Sequence, residues 1–274
     1  MSQHRSEEAS ALLTEGVSIG YGRTIVVDRL DLAIPRGAFT VLLGPNGSGK
    51  STILRSLAGL LWPRHGTVVL DGFSIATLSS KELARRIGVL SQGPSAPEGL
   101  TVRDLVEQGR YPHRSLFGRW TPRDSEACAE AMKLTGTDVF RDRPLDSLSG
   151  GERQRAWIAM SLAQQTDILL LDEPTTFLDL AHQLEILDLI ADLVNERGKT
   201  VVAVLHDLNQ AARYADHMVL LKKGDVIATG HPAEVMTATA IADVFGVTSS
   251  IISDPVTGTP MCVPAGREGR RNGG

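Results

Sequence analysis

A chain of 274 residues with 42% hydrophobic side chains is long enough to bury a large core as one or two domains. Its formal net charge of −4 argues against generic nucleic-acid binding, which favours a basic surface, and no apolar run approaches the length of a bilayer span. Cys128 and Cys262 match no metal-ligand spacing and suggest a reducing compartment without a disulfide framework.

In chain order, residues 1–11 are expected to be mobile, and the polar opening Met1–Glu8 has no apolar signal core. A main domain then runs over 12–248. Residues 12 to about 75 read as β-rich, with strands at Ile25–Val27, Leu30–Ile34 and Thr67–Leu70 and a turn at Asp71-Gly72. From Thr101 to Asp146 the pattern is helical, an insert at about 93–147. Its apolar positions Val102, Leu105 and Val106, then Ala127, Ala131 and Leu134, are split by the irregular, basic and aromatic segment Tyr111–Trp120. After residue 150 the order is helix, strand (Asp167–Leu171), helix (Leu180–Val194), strand (Val201–Leu205) and helix (Leu208–Tyr214). That alternation fits a mostly parallel sheet covered on both faces, an α/β fold. Met218–Ala228 reads as a hairpin in which Gly224 takes positive φ. Residues 249–266 are a C-terminal extension, and 267–274 a glycine- and arginine-rich tail expected to be disordered.

Two glycine-rich segments carry the chemistry. The apolar run Phe39–Leu43 leads into Gly44, Pro45, Asn46, Gly47, Ser48, Gly49, Lys50 and Ser51, which fit G-x-x-x-x-G-K-[ST], and Thr52–Leu57 continues as a helix. The glycines let backbone N–H groups turn toward a triphosphate; Lys50 would reach the β- and γ-phosphates, and the Ser51 hydroxyl would bind Mg²⁺. A plain glycine turn between strand and helix is the bland alternative. The second segment, Leu148, Ser149, Gly150, Gly151 and Glu152, reads as a helix start with Ser149 as N-cap and a carboxylate in the first turn. One nucleotide has little use for two such sites in one chain, so the second is expected to serve a nucleotide held by another copy. Farther on, the apolar run ends in Asp172 and Glu173, at the edge where open α/β sheets bind ligands. Asp172 would hold Mg²⁺ through water, and Glu173 would orient and polarise the attacking water. Two carboxylates after a strand could instead cap a helix, but Lys50 and Ser51 upstream favour the catalytic assignment.

With these motifs in this order, the sequence resembles the ATP-binding subunits of ABC transporters. The resemblance implies a P-loop NTPase with an N-terminal antiparallel β subdomain and a helical insert, cofactors ATP and Mg²⁺, and a homodimer in which Leu148–Glu152 of one copy close over the ATP of the other. It further implies that His206 contacts the γ-phosphate and the catalytic water, and that Gln92 reaches Mg²⁺ and hinges toward a membrane partner. Asp179 would communicate between the two sites, and adenine would stack on Tyr21, although an aromatic in a turn more often packs. ABC ATPases that repair DNA would need a long coiled coil between Gln92 and Leu148, yet only about 55 residues without a heptad repeat lie there. Ribosome-acting types usually fuse two cassettes, and an unrelated P-loop kinase would have no reason for Ser149-Gly150-Gly151.

The segments Gly109–Trp120, Ala156–Met160, Leu205–Ala211 and Asp254–Pro260 look like those of bacterial iron-siderophore importers, nearest the ferric enterobactin type, with haem and cobalamin importers as related alternatives. That likeness implies integral membrane permease subunits, an extracytoplasmic substrate-binding protein met indirectly, and a peripheral place on the cytoplasmic face of the cell membrane. The basic and aromatic surface of Tyr111–Trp120 would be either a dock for the membrane subunit or ordinary packing.

Overall fold

The structure, a computed structural model, describes residues 10–114 and 118–267; the expectations for 1–9, 115–117 and 268–274 lie outside the described residues. The chain forms two compact units, Met1–Ile75 with Val202–Gly274, and Ala76–Val201.

In the first unit, β1 (Ser10–Tyr21) and β2 (Thr24–Pro35) form an antiparallel hairpin. Ser10 pairs with Pro35 and Ala11 is buried, so the start expected to be mobile is corrected: residues 10 and 11 belong to the sheet. The two strands expected at 25–27 and 30–34 are likewise one strand. Arg29 takes φ 49° between them, and β1 side chains bridge the irregularity. The Arg29 N–H donates to Ser18 Oγ at 3.1 Å, Thr14 Oγ1 donates to the Leu30 carbonyl at 3.0 Å, and the Leu32 N–H donates to Thr14 Oγ1 at 2.9 Å. Next come β3 (Phe39–Leu43), buried throughout, then α1 (Lys50–Leu57), β4 (His65–Leu70) and β5 (Phe73–Ser74). The antiparallel sheet has the order β2-β1-β4-β5. Asp71 and Gly72, both at positive φ, make the β4–β5 turn.

The second unit holds α2 (Ser80–Ala84), β6 (Ile87–Leu90), α3 (Val102–Gln108), α4 (Pro122–Leu134), α5 (Gly150–Ala163), β7 (Ile168–Asp172) and α6 (Leu180–Asn195). Four of its helices begin with capping boxes: Ser79/Glu82, Thr101/Asp104, Thr121/Asp124 and Ser149/Glu152. Losing the cap residue of such a box costs about 1 kcal/mol. Helices α3 and α4 pack on α5. Gly109, just past α3, permits this approach, because a Cβ there would lie 2.2 Å from the Met160 carbonyl oxygen. Strands β6 and β7 are parallel, with Ile87 opposite Ile168 and Leu90 opposite Leu171.

Strand β8 (Thr200–Val204) returns the chain to the first unit, followed by α7 (Leu208–Tyr214), β9 (His217–Lys222), β10 (Asp225–Gly230), α8 (Pro232–Val235) and α9 (Ala238–Phe245). Strand β9 lies parallel to β3 and antiparallel to β10, and Gly224 in their turn has φ 93°. The final hairpin, β11 (Val247–Ser253) and β12 (Pro260–Arg267), pairs Arg267 with Val247, so the tail expected from 267 begins at least one residue later. The C-terminal hairpin is tied to α7. Asn209 donates to the Cys262 carbonyl at 3.2 Å and accepts from its N–H at 2.7 Å, and Arg213 Nη2 donates to Asp254 at 2.6 Å.

Candidate functional site

In the first unit, β3 delivers a loop that only glycine can follow. A Cβ on Gly44 (φ 155°) would sit 2.2 Å from the Leu221 carbonyl oxygen, and one on Gly49 (φ 100°) would sit 2.8 Å from Val27 Cγ2. The Gly224 N–H donates to the Ser48 carbonyl at 3.0 Å, which fastens the loop to the β9–β10 turn. Lys50 is buried, and its ammonium donates to the carbonyls of Gly44 at 2.8 Å and Pro45 at 3.0 Å. Pro45, Asn46 and Gly47 are exposed, whereas Ser48 Oγ is buried without a hydrogen-bond partner. Ser51 and Thr52 lie in the first turn of α1, which contains no acidic residue to offset the positive end of the helix dipole. The loop therefore presents one ammonium, one orphaned buried hydroxyl and a helix N-terminus: a chemistry suited to phosphate.

Tyr21, at the end of β1, is 46% exposed, and its hydroxyl accepts from Arg55 of α1 at 3.4 Å, which brings the ring beside the helix that follows the loop. His206 is exposed two residues after β8. Asp207 then caps α7, its carboxylate accepting the N–H groups of Asn209 and Gln210 at 2.8 Å each.

In the second unit, the parallel pairing of β6 and β7 carries Gln92 to Glu173. Gln92 Nε2 donates to Glu173 Oε2 at 2.6 Å, and Thr176 Oγ1 donates to the same oxygen at 2.9 Å. Glu173 holds φ 56°, a left-handed conformation rare for a residue with a side chain and concentrated at functional sites. Asp172, at the end of β7, is buried. Sequence reasoning missed Thr176. The available signal was a threonine three residues after Glu173, a spacing at which a hydroxyl closes a turn on its neighbour.

The second glycine segment opens α5 as expected. Ser149 Oγ accepts from the Glu152 N–H at 3.2 Å, while the Glu152 carboxylate accepts the Ser149 N–H at 2.8 Å. That backbone N–H holds the Glu152 carboxyl below its ordinary range. Glu152 is thus engaged in its own helix cap. Leu148 and Gly151 are buried, and Gly150 is exposed. Asp179 caps α6, accepting from the His182 N–H at 3.0 Å and from the His182 ring at Nδ1, 2.8 Å away. The backbone N–H of His182 is the main cause that holds Asp179 below the usual carboxylate range. His182 was also missed; its ring lies against Gly151, which no sequence spacing reveals.

Comparison with known proteins gives a consistent assignment. The model of the ABC transporter family matches residues 27–176. The chain is 52% identical over 262 residues to the ferric enterobactin transport ATP-binding protein FepC of Escherichia coli, covering 96% of this chain and 97% of that protein. It is 50% identical over 261 residues to the petrobactin import ATP-binding protein FpuD of Bacillus anthracis, covering 95% of each. A solved dimeric bacterial ABC transporter cassette is 31% identical, with a TM-score of 0.71 over 80% of this chain and 98% of that one.

Proposed function

This chain belongs to the ABC transporter family as an ATP-binding subunit, and from that premise we propose that it powers the import of ferric siderophores by ATP-driven closure of a homodimer. The observation that carries the cargo class is the near-full-length identity to subunits whose names specify ferric enterobactin and petrobactin. The cargo itself would pass through separate membrane permease subunits after delivery by an extracytoplasmic binding protein. No helix among the described residues is long and apolar enough to cross a membrane. As a subunit of a membrane transporter, the chain would sit peripherally at the cytoplasmic face.

Lys50 and the loop Gly44–Thr52 are assigned to the nucleotide phosphates, and Tyr21 to the adenine. Mg²⁺ favours oxygen ligands, and the Ser51 hydroxyl, the Asp172 carboxylate and the Gln92 amide oxygen supply that donor chemistry. Bound there, the ion would neutralise charge on the phosphates. Glu173, placed by Gln92 and Thr176, would orient the attacking water and polarise it, with His206 contacting the γ-phosphate. Ser149, Gly150 and Gly151 of a second copy would cover that phosphate. Phe177, at 97% exposure, and Leu180, at 66%, flank Asp179 with apolar surface that supports a partner-facing role for this segment. ATP would favour closure only in proportion to its preference for the closed state.

The test is deletion of the coding gene in its own cell, followed by uptake of radioiron from a ferric catecholate and a ferric hydroxamate, and of labelled cobalamin. Loss of siderophore iron uptake with cobalamin uptake preserved is the expected result. Loss of cobalamin uptake alone overturns the cargo assignment.

A further inference from the structure

The helical part of the second unit contains a cavity of about 520 Å³ that the ATPase reading does not use. Its lining residues include four arginines, Arg110, Arg114, Arg119 and Arg123, and a single acidic residue, Asp124. That carboxylate is already engaged, accepting from Arg110 Nε at 2.9 Å, from Thr121 Oγ1 at 2.6 Å and from the Thr121 N–H at 3.0 Å. Arg110, buried, also donates from Nη1 to the Ala163 carbonyl at 2.7 Å and to Gln165 Oε1 at 3.1 Å. The other three arginines have no acidic partner among the described residues. Arg114 stacks over the Trp120 ring at 5.7 Å, and its Nε is buried without a hydrogen-bond partner. The thirteen-residue helix α4 also starts at this wall, with Asp124 in its first turn.

We propose that this cavity binds a phosphate-bearing anion through Arg114, Arg119 and Arg123. Three arginines lining one space without an acidic partner among the described residues suit a tetrahedral group with three or more acceptor oxygens better than they suit one carboxylate. A cavity of this volume also has room for an organic part attached to the phosphate. Two sources share that chemistry, a soluble phosphoester and the headgroup of an anionic lipid. The overall charge of −4 opposes unspecific attraction to either, so binding would be local.

The probes are glycerol phosphate, titrated calorimetrically into the full chain saturated with Mg-ADP, and phosphatidylcholine vesicles with or without phosphatidylglycerol, in co-sedimentation. Wild type is expected to bind glycerol phosphate, and Arg119→Ala/Arg123→Ala to bind it at least about tenfold more weakly with unchanged melting and ATPase activity. The charge-matched pair Arg23→Ala/Arg29→Ala should bind as wild type does. Co-sedimentation only with phosphatidylglycerol, lost in Arg119→Ala/Arg123→Ala, identifies a lipid headgroup; glycerol phosphate binding without co-sedimentation identifies a soluble phosphoester. No binding of either probe, equal binding by the Arg119/Arg123 variant, or retention only of an acidic peptide overturns the proposal.

Discussion

The imidazole of His182 lies so close to Gly151 that a Cβ at position 151 would come within 2.2 Å of ring Cδ2 and 2.6 Å of Cγ. The same ring is held by Asp179 through Nδ1 at 2.8 Å. One side chain therefore spaces the second glycine segment from the cap of α6, and a turn farther along the two helices Arg155 pairs with Glu185. Gly151→Ala should displace the ring from Asp179 and lower steady-state ATPase activity by about tenfold. Removing the obstacle in Gly151→Ala/His182→Ala should restore part of it, a coupling of about 1 kcal/mol or more. Strictly additive losses in this cycle would show that the ring is not what excludes a side chain at 151.

Gly151→Asp bears on the sharing of sites between copies. Its carboxylate meets His182 within its own chain before it can face a partner's phosphate, so loss of closure in that variant alone has two causes. Mixing it with Lys50→Ala separates them. If sites are shared in trans, the heterodimer has one site with both lesions and one with neither, and partial ATPase activity should reappear. A crosslinked heterodimer as inactive as its two components would count against the shared site.

Glu173→Gln should retain ATP yet turn over about a hundredfold more slowly or worse. The amide keeps an oxygen for Gln92 and Thr176 but loses the negative charge that polarises water. An ATP-dependent dimer on size-exclusion chromatography with near-background hydrolysis is the expected signature. Wild-type turnover would remove Glu173 from the catalytic residues.

Lys50→Ala removes the loop's ammonium and, with it, bonds to the carbonyls of Gly44 and Pro45. ATP affinity measured by calorimetry should fall at least about tenfold, with thermal unfolding little changed. Unaltered affinity in a normally folded variant would contradict the phosphate assignment.

Asp124 makes stability depend on acid. The Thr121 hydroxyl, aided by Arg110, lowers its pKa from 3.8 to about 2. Because the folded chain favours the ionised form, its contribution is complete above the unfolded value and is lost as pH falls through the folded one. Asp124→Asn leaves the Arg110 guanidinium buried without its counter-charge, which should cost about 3 kcal/mol at pH 7 in urea unfolding. The gap to wild type should narrow between pH 3.8 and about 2. A gap independent of pH would mean that the ion pair is not its source.

What the sequence determined by itself is what neighbouring residues decide among themselves. The loop Gly44–Ser51 is bounded by a strand at Phe39–Leu43 and a helix from Lys50, because glycine placement and apolar runs act within one turn of chain. Ser149 capping α5 and Gly224 at positive φ are legible for the same reason. Tertiary structure decided the partnerships. Gln92 and Glu173, separated by 81 positions, meet only because β6 and β7 are parallel in one register, and a slip of one strand by one residue would turn its side chains to the opposite face. The continuity of β2 through Arg29 depended on hydroxyls of β1, and the burial of Arg110 on carbonyls at the end of α5. Backbone preferences are short-ranged and can be read along the chain, whereas which polar groups satisfy one another is settled by packing that brings distant segments within hydrogen-bonding reach.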